Sequence, residues 1–152
     1  MKPTNFRMLT VLTAVAVLGT LTLAAATGTK AIQQRQEAME KIGGAMQPLG
    51  AIAKKEAKFD AKVVQSSAQT IADHLKKSAD LFPEGSDAGE VETWSKAEIW
   101  SDREKFDKDL DSTLAAALAL EQVTEEAAFL PALGALGNGC KSCHDTYRRP
   151  KS

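Results

Sequence analysis

From residue 32 to residue 147 the apolar side chains return every three or four positions, and that period restricts the fold more than any other feature. Ile32, Met39, Ile42, Met46, Leu49 and Ala53 step by seven, three, four, three and four. This is one face of a helix, close to a heptad seam. The step of seven has Arg35 at its missing position, an arginine on a stripe meant for burial. A second stripe runs through Val64, Ala68, Ile71, Leu75, Ala79 and Phe82, and "FPEG" ends it, since Pro83 and Gly85 break a helix. Residues 83–100, "PEGSDAGEVETWSKAEIW", form a connection long enough to suggest a packed or functional loop.

A third helix is expected from "SDRE", with Ser101 as N-cap and Glu104 three residues on. Phe106, Leu110, Leu114, Ala117 and Leu118 form its inner face, and it ends near Val123. Thr124 is a candidate cap for a fourth segment. Pro131 would cost about 3 kcal/mol deep inside a helix but is tolerable in a first turn. The long part of helix four is therefore expected from about Leu130 to Arg148, with Leu133, Leu136, Cys140, Cys143 and Tyr147 on its inner face. Four amphipathic helices without a strand signal make an all-α, antiparallel four-helix bundle. Short loops join helices one and two and helices three and four, so those pairs are antiparallel neighbours.

The first residues stand apart from this pattern. "MKPTNFR" carries Lys2 and Arg7 and no acid, residues 8–26 carry no charge, and the run ends in Ala24-Ala25-Ala26. A charged start, an apolar middle and a small-residue exit describe a secretory signal peptide, so residues 1–26 are assigned to it and 27–152 to the bundle. The competing reading is an uncleaved anchor, which would tie the protein to a membrane. Either way the working domain is exported. Without Lys2 and Arg7 the 19 basic residues fall to 17 against 20 acidic ones, a net charge of −3. An acidic balance argues against nucleic acid as a partner. Few aromatics, 5% of the chain, suit packed helices better than sheet.

"GCKSCHD", residues 139–145, holds both cysteines of the chain and one of its two histidines. Cys140 and Cys143 share the inner face of helix four, and His144 joins them at i+4 from Cys140. A disulfide between them would close a loop of only two residues. A redox-active pair belongs at a helix N-terminus, whereas this pair sits near a C-terminus, where the dipole opposes thiolate formation. Zinc needs a fourth ligand from elsewhere, such as His74 or an acid. C-x-x-C-H is the signature of covalent haem attachment: each thiol adds to one vinyl group, and the histidine becomes an axial ligand of iron. Export agrees with that chemistry, and one haem c is the reading the residues favour.

With its haem motif at the end of the last helix, the chain resembles the class II c-type cytochromes, the cytochrome c-prime family. "RQEAMEKIGGAM", "LFPEGS", "EIWSDREKF" and "CKSCHDTYRR" carry the resemblance across the mature chain. It implies a haem-binding, mostly periplasmic and often dimeric protein. It also implies that the position four residues after the arginine of the R-Q pair decides the branch. Methionine there marks the low-spin branch, in which it binds iron opposite the histidine. That position is Met39. A thioether paired with histidine is a common electron-transfer ligand set; the plain alternative is that Met39 is core filler. The resemblance further implies haem contacts for Arg35, whose guanidinium suits a propionate, and for Gln36, Trp100 and Arg148. Trp100 could equally pack the long loop, and Arg148 could simply favour the helix C-terminus. Met46 and Tyr147 read as core, and His74 as a surface residue. Gly134, Gly137 and Gly139 weaken helix four, with close approach to the porphyrin as the compensation. Pro131 and Trp94 depart from the family pattern.

Three functions compete. The first is a one-electron carrier with His144 and Met39 on iron, meeting periplasmic redox proteins through a small interface. The second is a gas-binding protein with an open sixth position, for nitric oxide or carbon monoxide. The third is a haem enzyme, disfavoured because Met39, Met46, Ile42 and Gly43 offer no acid–base group. A homodimer through small and apolar positions of helices one and two is compatible with each.

Overall fold

The computed structural model describes the backbone of residues 15–150, and side chains from residue 28. Helices α1 (Val15–Ala53), α2 (Ala61–Ser78), α4 (Arg103–Glu121) and α5 (Glu126–Tyr147) form the bundle. A one-turn helix, α3 (Glu98–Ser101), lies in the long connection. Of the expected signal segment, residues 1–14 lie outside the described residues, and 15–26 are described as backbone alone. Among the described residues no helix is long and apolar enough to cross a membrane.

The periodic positions make the core. Ile42, Leu49, Val64, Ala68, Ile71, Leu75, Phe106, Leu110, Ala117, Leu120, Phe129 and Leu136 are buried together. α1 packs on α2, α2 on α4 and α4 on α5, whereas α1 and α5 barely meet. Three neighbouring helix pairs are packed together, and the fourth pair, α1 and α5, makes little direct contact. Its upper end is braced by Phe59, in the α1–α2 loop, against Phe129 of α5, with ring centroids 5.9 Å apart.

Local chemistry explains the helix ends. Lys55 takes a left-handed conformation, φ 61°, after α1, and Glu56 N donates to Ala51 O at 2.9 Å. Asp60 caps α2, its carboxylate accepting from Lys62 N at 2.8 Å. Two expected boundaries move. Ser101 is not the cap of the third long helix: it closes α3 in helical geometry, and Asp102 accepts from Lys105 N at 3.3 Å. The last helix starts at Glu126 rather than near Leu130, with Pro131 inside it. Pro131 and Ala127 are both exposed, so water can serve the Ala127 carbonyl that the proline leaves without a donor. The only extended pairing among the described residues is one antiparallel bridge, Ser95 with Arg148.

Candidate functional site

Cys140 and Cys143 lie on the inner side of α5 as free thiols, half-buried against the core. Gly139, just before them, lets α5 approach α4: a Cβ there would stand 2.9 Å from Thr113 Oγ1. The close neighbour of that glycine is thus a threonine of α4. A Cβ at Gly134 or Gly137 would meet nothing within 4 Å. Thr113 Oγ1 donates to Asp109 O at 2.9 Å and lies 3.9 Å from Cys143 Sγ.

Burial raises both thiol pKa values. The neighbouring Cys143 adds to the rise at Cys140, while the Thr113 contact opposes it at Cys143. Both groups are therefore protonated thiols at neutral pH, unlike a thiolate-based redox pair. His144 is exposed in the last turn of α5. Desolvation, then the Arg148 charge, hold its pKa below the usual value, so the imidazole is neutral and able to bind metal. Among the described residues no three His, Cys, Asp or Glu side chains converge as a metal cage, which gives the zinc reading no fourth ligand.

The donor set fits covalent haem: two protonated thiols at i and i+3 and a neutral imidazole next in sequence, on a helix with little contact to α1. Met39 does not lie in the centre of the buried stripe of α1, which runs through Arg35, Ala38, Ile42 and Leu49. It sits on the flank and is 39% exposed, and Met46 on the same flank is half-buried against the core. His74 is on α2, which does not pack on α5.

The other expected haem contacts already have protein partners. Arg35 is only 6% exposed. Its Nη1 donates to Leu81 O and Ser86 Oγ, both at 2.9 Å, and its Nη2 to Ser86 O at 2.7 Å and Thr93 Oγ1 at 3.4 Å. The guanidinium lies 4.8 Å from the Phe82 ring centroid and 5.8 Å from that of Trp100. Burial pushes its pKa down to about 10, partly offset by Asp87, so it stays charged at neutral pH. Gln36 Nε2 donates to Glu92 O at 2.9 Å, and Trp100 Nε1 to Pro83 O at 3.0 Å. Arg148 is exposed and lies over Trp94 at 5.6 Å. Tyr147 is buried edge-on to Phe106, and its hydroxyl donates to Asp109 Oδ2 at 2.8 Å. Sequence periodicity missed Lys96, whose ammonium reaches the carbonyls of Asp145 and Thr146 at 3.1 and 3.0 Å. A loop lysine carries no periodic signal.

The profile of the family described as Cytochrome C' matches residues 30–148. A cytochrome c' from Rhodopseudomonas palustris is 44% identical over 126 residues, covering 82% of this chain and 85% of that protein. A cytochrome c-556 from Agrobacterium fabrum is 33% identical, over 92% of this chain and 95% of that one. The solved structure of a cytochrome c' from Rhodopseudomonas palustris is similar with a TM-score of 0.75 and 40% identity, over 80% of this chain and 98% of that one.

Proposed function

The chain belongs to the cytochrome c' family, and from that premise we propose an exported gas-binding protein with His144 as the only protein ligand of its iron. The family's cofactor is one covalently attached haem c, and its members are typically periplasmic haem proteins of electron transport. Cytochromes c' are typically five-coordinate and high-spin, which supports the open sixth position over the low-spin His/Met carrier. Bound haem would supply an iron that cycles between ferrous and ferric and that can take a diatomic gas.

The residues divide the work. Cys140 and Cys143 would hold the group through two thioethers, and a ring nitrogen of His144 would bind its iron. Met39 and Met46 make an apolar flank on α1 without a proton donor, so this flank offers a bound gas no hydrogen bond. Arg35 brings a buried cation with no ion-pair partner among the described residues. Its field favours an anionic propionate nearby, although its N–H groups already serve the loop. Arg148 adds a second cation close enough to influence His144. Cytochromes c' are often dimeric, and a homodimer belongs to the same proposal.

The observation that carries the reading is the placement of Cys140 and Cys143, half-buried on the inner side of α5, with His144 exposed directly after them. One observation favours the second reading, iron ligation by Met39: the residue is 39% exposed on the flank of the stripe rather than packed into the core. Absorption spectra of the exported protein, oxidised, reduced and reduced under carbon monoxide, separate the two. Broad high-spin bands that shift with carbon monoxide are expected, and Met39→Ala should leave the band shape unchanged. Sharp reduced bands unmoved by the gas, turned high-spin by Met39→Ala, would make Met39 the ligand and the protein a carrier.

A further inference from the structure

The helix that carries His144 ends three residues later, so the iron ligand sits in a final turn. The last four carbonyls of a helix lack intrahelical partners, and a final turn frays unless something else binds them. Here all four are bound. His144 O accepts from Arg148 N at 3.1 Å. The other three go to one residue: Lys96 Nζ donates to Asp145 O at 3.1 Å and Thr146 O at 3.0 Å, and Lys96 N donates to Tyr147 O at 2.9 Å. The ammonium also stands where the helix dipole is negative, so its charge adds to its hydrogen bonds.

Lys96 is itself held. It belongs to the connection 82–97, which lies along α1 so closely that a Cβ at Gly28 would stand 2.9 Å from Ala88 O. Arg35 and Gln36 of α1 bind this connection at Ser86, Glu92 and Thr93, and Arg35 also reaches Leu81 O just before it. Thr93 Oγ1 in turn accepts from Ser95 N at 3.2 Å, next to Lys96. On the far side Arg149 N donates to Trp94 O at 2.7 Å. The connection is a strap from α1 to the end of α5, two helices that make little direct contact.

We infer that Lys96 is a positioning residue for the iron ligand: by capping three carbonyls of the turn that carries His144, it fixes the orientation of the imidazole. The strap anchors it, with Arg35 as the strap's main hold on α1. The inference rests on His144 as an iron ligand, and its test separates the two. The holoproteins to compare are wild type, Lys96→Met, Lys96→Arg and Lys58→Met, the last an exposed lysine whose loss changes net charge equally. Lys96→Met keeps the side-chain stem and the backbone N–H and loses only the ammonium.

Resonance Raman of the ferrous protein reads the iron–histidine stretch. Lys96→Met should broaden that band and move it to lower frequency. Lys96→Arg should restore it, and Lys58→Met should leave it alone. A wild-type band in Lys96→Met, even with a lower melting temperature, would reduce Lys96 to a helix cap and overturn the inference. So would an equal shift in Lys58→Met. If Lys96→Met yields no holoprotein, Lys96→Gln, with a shorter donor, carries the same comparison. If wild type shows no such band because iron is six-coordinate, the open-site reading fails on its own. The g-values of the ferric low-spin signal then report imidazole orientation in the same variants, and unchanged values in Lys96→Met overturn the inference.

Discussion

Gly139→Ala tests the spacing of α4 and α5 directly. The added methyl would stand 2.9 Å from Thr113 Oγ1, 3.2 Å from Cγ2 and 3.3 Å from Cβ. Thr113 is 3% exposed and its hydroxyl is bound to Asp109 O, so it cannot swing away freely. Overpacking of this kind costs about 1–3 kcal/mol, and Ala over Gly in a helix returns about 1 kcal/mol, for a net loss of about 0–2 kcal/mol. In a Thr113→Ala background the clash is almost gone, and the same change should stabilise by about 1 kcal/mol. The double-mutant cycle should therefore show a coupling of about 1–3 kcal/mol. Denaturant unfolding of the holoproteins, followed by circular dichroism, measures it. Haem content per chain is the second readout, because a displaced α5 carries Cys140 and Cys143 with it. Equal effects of Gly139→Ala in both backgrounds would refute the close approach. Gly134→Ala is the internal control: its Cβ meets nothing, so it should stabilise by about 1 kcal/mol.

Leu136 is fully buried on α5, and Leu136→Ala should cost about 2–5 kcal/mol in the same unfolding assay; a loss below 1 kcal/mol would mean the site collapses around the smaller side chain. Asp109 is held below the usual carboxylate pKa by hydrogen bonds from Lys105 and Tyr147. The folded state then binds fewer protons than the unfolded one, so its contribution is full above the ordinary carboxylate pKa and is lost as pH falls through the lowered folded value. Melting temperatures on acidification should drop less steeply in Asp109→Asn than in wild type, and parallel curves would remove Asp109 from the acid response. Lys141 and Asp145 form an exposed i,i+4 ion pair; Lys141→Ala should change stability by no more than about 1 kcal/mol, and a larger loss would point to an undescribed role.

The sequence made the four long helices legible because each buries one stripe, and a stripe at fixed period is visible without coordinates. It also exposed the thiols and histidine, since their spacing is itself the chemistry. What it hid depends on contacts between segments far apart in the chain. Arg35 stood out as an arginine on a buried stripe, but its partners are loop carbonyls and hydroxyls some fifty positions away, and backbone acceptors leave no mark on residue identity. Gly139 and Gly134 read alike in sequence, yet one meets α4 and the other meets open space. The cap of α4 moved by one residue, because Ser101 and Asp102 are both good caps and only the short α3 decides between them. Met39 fell on the flank of the stripe because a period of three and four cannot distinguish the centre of a face from its edge.

The side of the bundle between α1 and α5 is braced by Phe59 and Phe129 at one end and by the strap at the other. The placement of α5 against α1 is thus set by loop contacts as well as by helix packing. A fully closed bundle would have to unpack to admit a flat, rigid group, and would repack around whatever entered. Here α5 is held relative to α1 by a ring pair at one end and by loop hydrogen bonds at the other, with little direct contact between the two helices. Replacement of Phe59 or Phe129, or release of the strap, would then shift α5 and the Cys140, Cys143 and His144 it carries, even though none of the three is itself altered.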